Sequence, residues 1–243
     1  MPNPTAAMLV IGDEILSGRT RDANMHHLAG ELTAVGIDLK EVRVVSDDAQ
    51  AIVSAVNALR GGFDHVFTSG GIGPTHDDIT ADNIAAAFGV PIDIRADARA
   101  ILQAHYDRQG IEMNAARLRM ARIPDGAVLI DNPVSSAPGF SMGNVHVMAG
   151  VPSIFQAMVA GLLPRLTGGA PLVSETVRLN VPEGEIAAPL GVLAQDHPEL
   201  SMGSYPFTIN SAYGTNIVIR GSDANAVGAA AAKLRDLFAA AIE

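Results

Sequence analysis

The chain has 243 residues, 48% of them hydrophobic and 17% charged, which is enough to bury one sizeable core and a smaller one and too apolar for a disordered or collagen-like chain. Its 26 acidic residues against 16 basic ones give a formal charge of −10, with Lys40 and Lys233 the only lysines and aromatic residues at 4%; neither a phosphate-neutralising groove nor a base-stacking surface is expected, and so no nucleic-acid partner. The absence of cysteine excludes disulfides, thiolate metal sites and a cysteine nucleophile.

In chain order, the apolar run AAMLVI at 6–11 reads as a buried parallel strand. After the loop GDEILSGRTRD, residues 22–35 read as an amphipathic helix, with Asp22 as cap, Met25, Leu28, Leu32 and Val35 on one stripe and Gly36 as stop. A strand at 37–45, a helix at about 48–60 and a short strand at 65–68 repeat the pattern, and the helix 80–88 takes Thr80 as its cap. Residues 97–121 read as helical with a break at Asn114, and strands follow at 127–130 and 145–148. GFSMGNVHVM is a hairpin candidate turning at Gly143–Asn144, and a helix at 151–163 carries Pro152 in its first turn. Strands alternating with helices imply βαβ units and a mostly parallel sheet covered on both faces.

The stretch TGGAP at 167–171 marks a linker, dividing the chain into domains 1–167 and 171–243. The second part predicts a small βαββα module, with strands at 173–181, 202–206 and 216–220 and helices at 184–196 and 223–241. The last helix carries a stripe of Val227, Ala231, Leu234 and Phe238. Ser204, Tyr205, Thr208, Asn210 and Tyr213 fall in or near one connection between strands, which would shape substrate choice and supply no chemistry. Apolar runs are interrupted before the roughly 18 residues of a spanning helix, and the N-terminal dozen residues lack a basic leader. No membrane partner and a cytoplasmic location are therefore expected.

Ligands of open parallel sheets bind beyond the carboxyl ends of the strands. Two loops hold such positions: Gly12 to Asn24, and Ser69-Gly70-Gly71-Ile72-Gly73-Pro74-Thr75-His76-Asp77-Asp78-Ile79-Thr80. Gly70, Gly71 and Gly73 let backbone approach an anion, and Ser69, Thr75 and Thr80 add hydroxyl donors, a pattern that suits a phosphate or pyrophosphate. Carboxylates beside a phosphate call for a divalent cation between them, for which Asp13, Asp77 and Asp78 are the candidate ligands, with Glu14 a further oxygen donor. The alternative is a tight strand-to-helix turn capped by acids. His76 is open between a metal ligand, a general acid and a solvated loop residue. His26 and His27 read as partly exposed packing residues, and Ser135–Ser136 as either ligand contacts or a plain turn.

GDEILSG at 12–18, DAN at 22–24, TSGGIGPTHDDIT at 68–80, NPVSSAPGF at 132–140 and GVPS at 150–153 resemble, in order and spacing, the molybdopterin-binding-like (MoaB/Mog-type) domain of the CinA, or competence/damage-inducible protein A, family. GPTHDD, NAARLRMARIP at 114–124 and GSYPF at 203–207 also resemble the corresponding half of eukaryotic FAD synthases. The resemblance covers nearly the whole chain and implies a three-layer α/β/α sandwich followed by a small α+β module. It implies Asp78 and its neighbour Asp77 in metal and pyrophosphate chemistry, Asp13 at the acidic position after the first strand, and Gly150 and Pro152 in a turn lining the pocket. The implied activity is metal-dependent hydrolysis of the pyrophosphate of ADP-ribose or FAD, with magnesium, manganese or cobalt as the ion and potassium as a further candidate. A molybdopterin nucleotidyltransferase, or a pterin- or nucleotide-binding regulator, is the alternative. In either case the partner is a small nucleotide or pterin, molybdopterin among them, and a homo-oligomer is expected. Nicotinamide-mononucleotide deamidation and FAD synthesis belong to domains outside these 243 residues and are not carried over.

Overall fold

The computed structural model describes residues 2–209 and 212–241, and of Ala212 the backbone alone. It falls into two compact units, Met1–Gly169 and Ala170–Glu243. In chain order the first comprises β1 (Thr5–Ile11), α1 (Asp13–Leu16), α2 (Asn24–Ala34), β2 (Asp38–Val45), α3 (Ala49–Gly62), β3 (His65–Ser69), α4 (Thr80–Phe88), β4 (Ile92–Ile94) and α5 (Ala96–Gln109). It continues through α6 (Ala115–Arg119), β5 (Arg122–Pro124), β6 (Val128–Ile130), β7 (Gly139–Met142), β8 (Val145–Met148) and α7 (Pro152–Leu162).

Its main sheet has the order β2-β1-β3-β8-β7-β6. β1 pairs in parallel with β2 and β3, and β3 with β8; the β7–β8 and β6–β7 pairs are antiparallel. β1 explains the layering, because successive side chains leave a strand on opposite faces. Ala7, Leu9 and Ile11 enter a core with Ile52, Val56 and Leu59 of α3, Ile84 of α4 and Leu102 of α5. Ala6, Met8 and Val10 enter a second core with Leu28 and Leu32 of α2 and Phe155, Met158 and Val159 of α7. A strand buried on both faces has no polar side to alternate with, hence its uninterrupted apolar run. The result is a three-layer α/β/α sandwich.

Several local expectations change. The N-cap of α2 is Ala23, not Asp22, which stands one residue before it and accepts from Met25 N–H at 2.9 Å; Met25 points outward, 40% exposed, while Leu28 and Leu32 carry the stripe. Thr80 is not a cap: it opens α4 fully buried, its hydroxyl donating to the Gly70 carbonyl at 3.0 Å. The break expected at Asn114 is present, although α5 already ends at Gln109, and α6 starts where Asn114 accepts from Arg117 N–H. It is flanked by a two-stranded antiparallel sheet of β4 and β5, whose three-residue strands are too short to show a period. α1, a single turn, was expected to be loop, being below the length at which a helix stands by propensity.

The second unit contains β9 (Val173–Leu179), α8 (Glu183–Asp196), β10 (Ser201–Ile209), β11 (Ala212–Gly221) and α9 (Ala224–Leu237), the βαββα order that the sequence predicts. Its antiparallel sheet runs β10-β11-β9. Val227, Ala231 and Leu234 of α9 are buried against Val177, Leu179, Ile217 and Ile219. The connection expected around Ser204 to Tyr213 is instead paired: Ser204 faces Ile217, Tyr205 faces Asn216 and Thr208 faces Tyr213 in one long hairpin. Asn210 lies outside the described residues. The strand expected at 202–206 is longer, Ser201–Ile209, and it includes Pro206 because β10 is an edge strand, where a missing N–H costs no ladder bond.

Candidate functional site

β1 is flanked by β2 on one side and β3 on the other, so the chain winds away from it in both directions and leaves a crevice beyond the strand ends. The segments following β1, β2, β3 and β8 meet there. They line a cleft of about 570 Å³, with Gly12 and Glu14 after β1, Asp47 after β2, Gly70, Gly71, Gly73, Asp77 and Asp78 after β3, and Gly150 and Pro152 after β8. A second lobe of about 580 Å³, lined by Asp13, Glu14, Asp47, His76, Asp77 and Arg19, shares Glu14, Asp47 and Asp77 with the first. The two lobes meet at a carboxylate ridge.

Glycines make the close approach of the loops possible. Gly70 has φ +108°, and a Cβ there would lie 2.2 Å from the Ile11 carbonyl oxygen; a Cβ on Gly150 would lie 3.2 Å from Gly70 Cα. Asn24, buried at the start of α2, donates from Nδ2 to Ser69 Oγ at 2.7 Å and to the Gly150 carbonyl at 2.8 Å. The DAN motif thus ties the ends of β3 and β8 together.

Two of the three hydroxyls expected to bind phosphate, those of Thr75 and Thr80, give their protons within the fold. Ser69 is buried and accepts from Asn24, Thr80 bonds the Gly70 carbonyl, and Thr75 donates its hydroxyl to Asp78 Oδ2 at 2.5 Å and its N–H at 2.7 Å. The glycine backbone, with Gly150 and Pro152, is the part of the expected cradle that faces the cleft. Asp78 lines the cleft, but its carboxylate turns back into its own loop. Asp77 is held below the usual carboxylate range, chiefly by the same Thr75 hydroxyl and then by its own N–H and His76. That hydroxyl has one proton and its short bond is to Asp78, so the two carboxylates compete for it. His76 has a fully exposed side chain 3.9 Å from Asp77. It borders the second lobe and takes no part in the first.

Asp47 was missed. It lies in the SDD stretch after β2, which the sequence offers only as a helix start; no local pattern indicates that it faces the other carboxylates. Burial raises its carboxyl above the usual range, and the charges of Asp13, Glu14 and Asp77 raise it further, against a bond of 3.0 Å from Asp13 N–H. A carboxylate made more basic by burial and like charge, in a cleft, is a functional-site candidate. Of the expected metal set, Asp13 and Asp77 therefore face Asp47, whereas Asp78 is bound to Thr75. Among the described residues no three His, Asp or Glu side chains form a ready-made metal cage.

The second loop wall is NPVSSAPGF. Asn132, buried, accepts at Oδ1 from the N–H groups of Val134 and Ser135 and donates from Nδ2 to Ser135 Oγ and the Ala137 carbonyl. Ser135 and Ala137 face the cleft.

Fold and cleft define a small-molecule-binding α/β protein with its site at the switch point of the sheet. The chain belongs to the family described as "probable molybdopterin binding domain", which matches residues 7–168, and residues 171–242 match the middle domain of FAD synthase. It is 31% identical over 261 residues to a probable FAD synthase of Caenorhabditis elegans, covering 97% of this chain and 50% of that protein. A CinA-like protein of Citrifermentans bemidjiense is 38% identical over 167 residues, covering 67% of this chain and 40% of that one. The chain thus spans half or less of these two relatives. The crystal structure of CinA, of unknown function, from Thermoplasma acidophilum superposes with a TM-score of 0.62 at 33% identity, covering 67% of this chain and 97% of that one. No helix among the described residues is long and apolar enough to cross a membrane.

Proposed function

We propose that the first unit hydrolyses the pyrophosphate bond of a dinucleotide such as ADP-ribose or FAD, with a divalent cation. The carrying observation is the two-lobed cleft, with a glycine backbone on one wall and the ridge of Glu14, Asp47 and Asp77 between the lobes. A dinucleotide is two bulky ends joined by a compact anion. The lobes match its ends and the ridge its middle.

The donor chemistry fits a hard cation: all the ridge groups are carboxylates, and the mutual repulsion that adds to burial in raising Asp47 is what a cation would relieve, leaving the burial in place. That no three-carboxylate cage stands among the described residues suits an ion held by one or two protein carboxylates and otherwise by substrate phosphates and water, the habit of magnesium. Asp13 and Asp77 are its candidate ligands, with Asp47 left free beside them. When bound, it would neutralise phosphate charge and lower the barrier to attack. The glycine loop supplies backbone N–H groups to the phosphate oxygens. Asp47, more basic than an ordinary aspartate, takes the proton of the attacking water. Oxygen adds to one phosphorus, the bridging P–O bond breaks, and two phosphomonoesters leave.

The same cleft would seat a pterin, the reading that the family's description favours; pterin binding without cleavage of a dinucleotide would select it. Asp47→Asn tests the hydrolytic reading. Cleavage of ADP-ribose should fall at least about a hundredfold, the scale of losing one electrostatic participant, and an unchanged rate would remove Asp47 from the mechanism.

A further inference from the structure

Ser135 carries a hydroxyl whose direction is set by its neighbours. Oδ1 of Asn132 accepts two backbone N–H groups, at 3.1 and 3.0 Å, while its Nδ2 lies 2.8 Å from the Ala137 carbonyl. Those three backbone groups fix which end of the amide is nitrogen. The 2.7 Å bond from Asn132 Nδ2 to Ser135 Oγ therefore has the serine oxygen as acceptor, and its proton is left over. No protein acceptor for that proton stands among the described residues, and Ser135 faces the cleft.

The backbone holding it is strained. Ser136, the next residue, has φ +61°, the left-handed region that non-glycine residues enter at a cost. Its own hydroxyl is bonded to His105 Nδ1 of α5 at 2.9 Å, and its N–H to the Asn132 carbonyl at 2.9 Å. A plain turn would need neither the strain nor the tie to α5. The same lobe is lined by Ile72, Met120, Ala137 and Ile154, apolar surface suited to a planar heterocycle. An oriented donor in an apolar wall is how binding sites obtain specificity.

We infer that Ser135 is a specificity-determining residue, donating a hydrogen bond to an acceptor on the nucleoside half of the ligand, which this lobe receives. Asn132, Ser136 and His105 are its positioning residues. The inference rests on the dinucleotide reading above.

Calorimetric titration of the full chain with ADP-ribose, AMP and ribose 5-phosphate tests it, comparing wild type with Ser135→Ala, Ser135→Thr and Val134→Ala. Val134 is exposed and is not among the cleft-lining residues. Ser135→Ala should weaken ADP-ribose and AMP about five- to tenfold, the scale of one net hydrogen bond, and leave ribose 5-phosphate unchanged. Ser135→Thr should restore wild-type affinity to within about twofold, and Val134→Ala should match wild type. Equal affinity of Ser135→Ala for AMP, or a loss confined to ribose 5-phosphate, overturns the inference and leaves the hydrolytic proposal standing. A wild-type chain that binds neither ADP-ribose nor AMP overturns both.

Discussion

Acid should unfold the first unit through His146, a residue remote from the cleft chemistry. His146 sits in β8, 4% exposed, with Phe67 against its ring at 5.1 Å. Its Nε2 lies 3.3 Å from His65 Nδ1 and its Nδ1 2.8 Å from Ser141 Oγ. Two neutral imidazoles can share one N–H; two imidazolium rings would set two N–H groups against each other. Burial pushes His146 from 6.5 down to about 3, with the charges of His65 and Arg165 adding to it, and burial lowers His65 as well. The unfolded chain therefore binds a proton below pH 6.5 that the folded chain refuses until about pH 3. Stability is full above 6.5 and is lost as pH falls through that window. The shift is worth about 4–5 kcal/mol over the whole window, of which about 3 kcal/mol is lost by pH 4. Urea unfolding followed by circular dichroism at pH 7, 6, 5 and 4 measures it, with His146→Gln as reference because glutamine keeps hydrogen-bonding capacity and does not titrate. The stability difference between the two should change by about 1.4 kcal/mol per pH unit below 6. A difference constant with pH would mean that His146 is hydrated or already charged in the folded state.

Two further outcomes concern the glycine-rich loop. Gly71→Ala should destabilise the first unit by about 2 kcal/mol or more, because a Cβ would lie 2.1 Å from Thr80 Oγ1 at a residue with φ +68°; an unchanged melting temperature would contradict it. The clash is with the fold itself, so loss of ligand binding in this variant would follow from loop distortion. Asp78→Asn should leave the melting temperature nearly unchanged, since an amide oxygen can still accept from Thr75. Its hydrolysis should fall less than that of Asp47→Asn, and a larger fall would place the Asp78 carboxylate at the reaction centre.

Much of the fold is legible because its signals are local. The apolar run at 6–11, the amphipathic spacing of Leu28 and Leu32, and the Gly143–Asn144 turn each occupy a few adjacent residues, and the structure places strand, helix and hairpin there. What the sequence hides is set by neighbours distant in the chain. Asp47 acquires its character from burial and then from the charges of Asp13, Glu14 and Asp77, and nothing in SDD marks it. Thr75 and Thr80 have the residue types of a phosphate site, yet Asp78 and the Gly70 carbonyl take their hydroxyl protons. The glycines of the loop were expected to admit a ligand; Gly70 and Gly71 are required first by Ile11 and Thr80.

The most direct measurement is product analysis of purified chain with ADP-ribose and, separately, FAD, in magnesium, manganese or cobalt and in excess chelator. Metal-dependent release of AMP with an equal amount of ribose 5-phosphate or FMN is the expected result, abolished by the chelator. Intact dinucleotide after prolonged incubation with each metal, in protein shown by calorimetry to bind it, would contradict a hydrolytic site.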